Sequence, residues 1–89
     1  MEDLKEKIAE LAKEAKQGNT EAFGKIYDLL LAKVYRFIFY RVQKKEDAED
    51  LTEIVFLKAW QGLLRYKKQE ASFEAWLFKI CRNTVIDHY

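Results

Sequence analysis

The chain has no proline, three glycines, one cysteine and one histidine among its 89 residues. Without proline, and with little glycine, it lacks the punctuation of short strands and tight hairpins, which favours long helices. A single cysteine, Cys81, excludes an internal disulfide and points to an intracellular, cytoplasmic protein. No apolar run approaches the length of a membrane span, and the opening "MEDLKEKIAELAKEAK" is too charged for a signal-peptide core. Metal-ligand spacings and glycine-rich phosphate loops are also missing, so neither a metal nor a cofactor is expected. His88 reads as a surface residue near the end of the chain and Cys81 as core packing. With no carboxylate on an apolar wall that would raise its pKa, the chain is not expected to be an enzyme.

What is present suits one folded domain spanning residues 1–89. Hydrophobic residues make up 49% of the chain and charged residues 35%, a globular rather than a disordered composition. The net charge of +1 conceals an uneven distribution. Residues 46–53 carry Glu46, Asp47, Glu49, Asp50 and Glu53 with no basic residue between them. From Lys58 onward there are six Lys or Arg against three Asp or Glu. An acidic patch followed by a basic one is either a pair of ordinary solvated helix faces or the footprint of two different partners.

Hydrophobic periodicity predicts an all-α fold, a compact bundle of about four helices. Leu4, Ile8, Leu11 and Ala15 share one face of a helix over 3–16. Gly18 suits a left-handed cap, and Asn19 or Thr20 can cap the next helix. That second helix, 20–42, carries a stripe of Phe23, Ile26, Tyr27, Leu30, Val34, Phe37 and Ile38. Leu31, Tyr35 and Phe39 spread apolar character to its other sides, which marks it as the central helix. After the turn "QKKED", a third helix over 46–64 buries Ala48, Leu51, Val55, Phe56, Ala59, Trp60 and Leu63. Asp50, Glu53, Ile54, Leu57 and Gln61 lie opposite, an acidic stripe that contains two unexplained aliphatics. Grouped apolar residues rimmed by charge suggest a partner. Beyond the basic loop "RYKKQEA", Ser72 is placed to cap a fourth helix running from 73 to the end. Phe73, Trp76, Leu77, Ile80, Cys81 and Thr84 face inward on it, and Lys79, Arg82, Asn83 and Ile86 project outward. With no helix stop signal near Tyr89, the chain reads as a fragment of something longer.

The loop and the fourth helix offer nucleic-acid chemistry. Arg65, Lys67 and Lys68 can meet phosphates, and Tyr66 and Trp76 can stack on bases. Asn83 can both donate to and accept from a base edge. The alternative is that Tyr66 and Trp76 pack in the core and the cations are merely solvated.

The stretch "DAEDLTEIVFLKAW", followed by "SFEAWLFKICRNTVIDHY" and preceded by "GNTEAFGKIYDLLLAKVYRFIFYRV", resembles region 2 of bacterial sigma-70-type transcription initiation factors, nearest the extracytoplasmic-function (ECF) group. The resemblance covers roughly residues 11 to 89. It implies an all-helical domain with two surfaces. The helix matching Asp47–Leu64 would dock on the clamp helices of the largest RNA polymerase subunit, with Asp47, Asp50, Glu53, Ile54, Leu57 and Gln61 as its contacts. The segment matching Arg65–Asp87 would recognise the promoter −10 element by capturing a base flipped from the single-stranded non-template strand. In it, Tyr66 falls in the base-capturing loop, Trp76, Lys79 and Asn83 on the melting and reading surface, and Arg82 at a phosphate. The family usually has a Gln-Glu pair where this chain has Glu53-Ile54, a change from charge to apolar area on the polymerase face. Region 4, the second domain that reads the −35 element, is absent from this chain. A second expectation from a different class is a protein-interaction module on the same fold, a target or mimic for an anti-sigma factor.

Overall fold

The computed structural model describes residues 3–89. Four α-helices account for most of them: α1 (Leu4–Lys16), α2 (Thr20–Val42), α3 (Lys45–Gly62) and α4 (Phe73–His88). A short 3-10 turn, Leu63–Arg65, follows α3 directly. No strand occurs among the described residues, as the composition predicts.

The helix ends follow local side-chain chemistry. Asp3, Asn19 and Ser72 each accept a hydrogen bond from a free backbone N–H in the first turn of α1, α2 and α4. Gly18 takes φ +100 at the α1–α2 turn, where a side chain would be strained. The α2–α3 turn is tighter than its sequence suggests. Gln43 adopts the left-handed conformation at φ 56, and helix resumes at Lys45. Glu46 and Asp47 then lie in the first turn of α3, where their negative charge complements the helix dipole.

Along α2 the buried residues are Ala22, Ile26, Leu30, Val34, Ile38 and Val42, one every four positions. At about 100° per residue, each such step rotates the buried line by about 40° around the helix. Over the length of α2 the line winds halfway round, so this one helix packs in turn against α1, α3 and α4. That is the physical origin of its apolar character on several sides. Ile8, Ile26, Ile38, Leu77, Val34, Val55 and Cys81 form the fully buried centre. Thr52, also buried, donates its hydroxyl to the Ala48 carbonyl at 2.7 Å. No buried side-chain nitrogen or oxygen among the described residues lacks a partner. The ion pair Lys33–Glu74, at 2.8 Å, ties α2 to the start of α4.

Two residues depart from their expected faces. Leu4 is half exposed at the start of α1. Trp60 is 40% exposed, with its ring edge-on to Phe23 at 5.1 Å. Its place at the edge of the buried stripe leaves room for only part of so large a side chain.

Candidate functional site

The exposed side of α3 is built by the helix period. With Ala48, Leu51, Val55, Phe56 and Ala59 turned to the core, Asp50, Glu53, Ile54, Leu57 and Gln61 face solvent. Ile54 is 40% exposed and Leu57 55% exposed. Trp60 and Leu64 continue the same apolar line at steps of three and four. The stripe is therefore longer than the acidic-aliphatic pattern alone predicts, and it carries an aromatic ring, Trp60, that periodicity places in the core. Asp47 sits at its rim, only half exposed, with Nε2 of His88 3.6 Å from its carboxylate.

Where α3 ends, the chain tightens into Leu63–Arg65 and turns back along α1 before α4 begins. A cleft opens between α3 and α4, lined by Lys58, Gln61, Gly62, Arg65, Trp76, Ile80 and Asn83. Gly62 lies against its Trp76 wall, where an added Cβ would stand 3.5 Å from Cζ2 of Trp76, in ordinary contact. Lys58 donates to the Thr84 hydroxyl at 3.2 Å, which holds its ammonium at the cleft's end. Gln61 thus belongs beside Arg65, Trp76 and Asn83 as well as on the α3 stripe. Lys58, placed by no motif, is a further cation in the same cleft. Lys79 and Arg82 are exposed on α4 beside Asn83, and Lys67 and Lys68 are exposed in the loop.

Tyr66 is not where the stacking role requires it. The ring is 4% exposed, against Phe73 at 5.5 Å and Trp76 at 5.1 Å. Its hydroxyl donates to the Ala71 carbonyl at 2.9 Å, closing the loop on itself. Lys16 of α1 donates to the Tyr66 carbonyl and lies over the ring, 5.8 Å from its centre. Burial pushes the Tyr66 hydroxyl above its ordinary pKa of 10.0. The walls of α1 and α4 make a large amphipathic side chain more stable inside than out, so the aromatic the cleft presents is the half-buried Trp76.

Cys81 is fully buried, and burial pushes its thiol up to about 12, so it stays protonated and inert at neutral pH. No group of three or more His, Cys, Asp or Glu among the described residues is arranged to hold a metal ion. No helix among them is long and apolar enough to cross a membrane.

The sigma-70 region 2 family profile matches residues 26–89, and the chain belongs to that family, within its ECF group. It is similar to the ECF RNA polymerase sigma factor BldN of Streptomyces coelicolor, 43% identical over 83 residues that make up 93% of this chain and 31% of that protein. With the ECF RNA polymerase sigma factor SigW of Bacillus subtilis it shares 28% identity over 80 residues, 90% of this chain and 42% of the other. Among solved structures, a chain from the RsbN–BldN complex matches with a TM-score of 0.82 and 45% identity, covering 86% of this chain and 56% of that one. The chain therefore spans less than half the length of these curated relatives.

Proposed function

We propose that this domain binds RNA polymerase through the exposed stripe of α3 and reads the single-stranded −10 element through the α3–α4 cleft. The observation that carries the second half is the cleft itself. One aromatic face (Trp76), one amide that both donates and accepts (Asn83), and the cations Lys58 and Arg65 converge on one open site. A base taken out of its stack needs a surface to lie on and hydrogen bonds to its edge, and its backbone needs positive charge. Lys79 and Arg82 extend that charge along α4. All of this is binding chemistry; melting proceeds by holding unpaired bases rather than by making or breaking covalent bonds.

On the other side, Asp50 and Glu53 beside Ile54 and Leu57 suit a coiled coil that offers basic and apolar side chains, such as the polymerase clamp helices. Ile54 and Leu57, the aliphatics of this stripe, weight the contact toward apolar burial.

The test is titration of fluorescent single-stranded oligonucleotides of varied sequence with the domain and with Asn83→Ala. The domain binds a subset of sequences with a salt-dependent affinity, and Asn83→Ala flattens the preference by about 1–3 kcal/mol at one base position. An unchanged preference refutes the assignment of Asn83.

A second reading, capture of the domain by a regulatory protein such as an anti-sigma factor, is favoured by one observation: the similar BldN is in complex with RsbN. It is compatible with the first, since a partner covering either surface would block transcription initiation.

A further inference from the structure

Helix α1 lies outside the residues matched by the family profile, which begin at 26. Two grooves run end to end along the seam between α1 and the loop that follows α3, and they share Ala9, Tyr66 and Lys68. The α1 side of this seam presents Lys5, Ala9, Lys13 and Lys16, spaced by four, four and three residues and therefore on one helix stripe. The loop side adds Lys68. Against these four cations stand Glu10 and Glu74, and Glu74 is already paired with Lys33 at 2.8 Å. The groove is thus basic over its length in a chain of net charge +1.

Its position matters as much as its charge. Tyr66, Phe73 and Trp76 form one aromatic cluster, with ring centres 5.1–5.5 Å apart. Trp76 lines the α3–α4 cleft, while Tyr66 and Phe73 form the floor of the α1 groove. The two depressions are opposite sides of one wall, with Arg65 at one flank and Lys68 at the other.

We propose that the α1 groove is a second track for the same nucleic-acid strand, where Lys5, Lys13 and Lys68 bind backbone phosphates as the strand passes over the loop from the cleft. Lys16 has a different part. Its hydrogen bond to the Tyr66 carbonyl fixes the loop that separates the two depressions, so it is a positioning residue. The occupant is a polyanion because the lining is cationic, and a single strand because the groove continues a cleft read here as taking unpaired bases. The proposal rests on that reading of the cleft.

The experiment measures oligonucleotide affinity against salt for the whole chain and for Lys5→Gln/Lys13→Gln. Both lysines are exposed, so the variant keeps its fold, which its circular dichroism and thermal midpoint verify. Two single strands of the same preferred core are used, one just long enough to fill the cleft and one extended on both flanks. The expected result is an unchanged affinity for the short strand and a loss of severalfold for the long one. The slope of log Kd against log salt falls for the long strand by about 0.7 per lysine removed. Lys44→Gln/Lys45→Gln, at the α2–α3 turn, removes the same net charge elsewhere and leaves that slope unchanged. Equal slopes for the parent and the α1 variant overturn the proposal while leaving the cleft reading intact. An equal drop in the Lys44/Lys45 control overturns it too, because the effect is then one of total charge. If the parent binds neither strand, both readings fall together.

Discussion

Replacing Tyr66 separates its two possible roles. In the structure it is a staple: one hydroxyl donating across the loop to Ala71 at 2.9 Å, and one ring wedged between Phe73, Trp76 and the Lys16 ammonium. Tyr66→Phe removes the hydrogen bond and keeps the ring. The Ala71 carbonyl loses its partner, which costs about 1 kcal/mol. In a domain of this size that lowers the thermal midpoint by about 4–8 °C. Tyr66→Ala also removes the ring and leaves a cavity against Phe73 and Trp76, at about 3–5 kcal/mol, the range for truncating a large buried aromatic. That is a large fraction of the roughly 5–15 kcal/mol a small domain commands. Urea denaturation followed by the fluorescence of Trp60 and Trp76, alongside oligonucleotide titration, reads both quantities. The expected pattern is stability falling in the order parent, Tyr66→Phe, Tyr66→Ala, with Tyr66→Phe binding oligonucleotides as the parent does. A base-stacking Tyr66 gives the opposite pattern. Tyr66→Ala would then stay within about 0.5 kcal/mol of the parent in stability, as surface substitutions do, and would lose about 1–3 kcal/mol of binding per stacked base. That result would refute the packing account of the loop.

Two further outcomes follow from the same physics. Leu57→Asp and Asp50→Arg, both at exposed positions, leave stability within about 0.5 kcal/mol and weaken binding to a polymerase clamp coiled-coil fragment by about tenfold or more; unchanged pull-down would remove α3 as the polymerase surface. Because the Cys81 thiol is raised from 9.0 to about 12, the unfolded chain releases that proton first as pH rises. Below pH 9 the stabilisation is intact. Between 9 and 12 it is lost at about 1.4 kcal/mol per pH unit relative to Cys81→Ala, as urea titrations at stepped pH would show, and parallel curves for the two proteins would contradict the burial argument.

Much of the fold is legible in the order of residues because helices are local. The four helices, the caps at Asn19 and Ser72, the left-handed Gly18 and the central place of α2 all follow from spacing and from what each side chain does to its own backbone. The exposed stripe of Asp50, Glu53, Ile54 and Leu57 is equally local, since helical geometry alone puts it opposite the core face. Trp60 and Leu64 were less legible. At the border of a buried stripe, periodicity cannot say whether a neighbour has room for an indole, and here Phe23 covers only one edge of it. The end of α3 was also hidden. The run Trp60–Leu64 continues the helical pattern, and only the structure shows the chain tightening into a 3-10 turn at Leu63.

The loop after α3 marks the boundary between the two kinds of information. Its composition, an aromatic among cations, determined that charge would gather there and that nucleic acid was a candidate ligand. Only the tertiary structure decided that Tyr66 points inward, that Gln61 shares a cleft with Asn83, and that α1 brings Lys16 to a carbonyl fifty residues along the chain. The physical reason is range. Helix formation, capping and facial amphipathicity depend on neighbours within a turn or two. The fate of a large amphipathic side chain in a loop depends on which distant walls arrive around it, and the free energy of burying its ring outweighs the local preference of its neighbours for water.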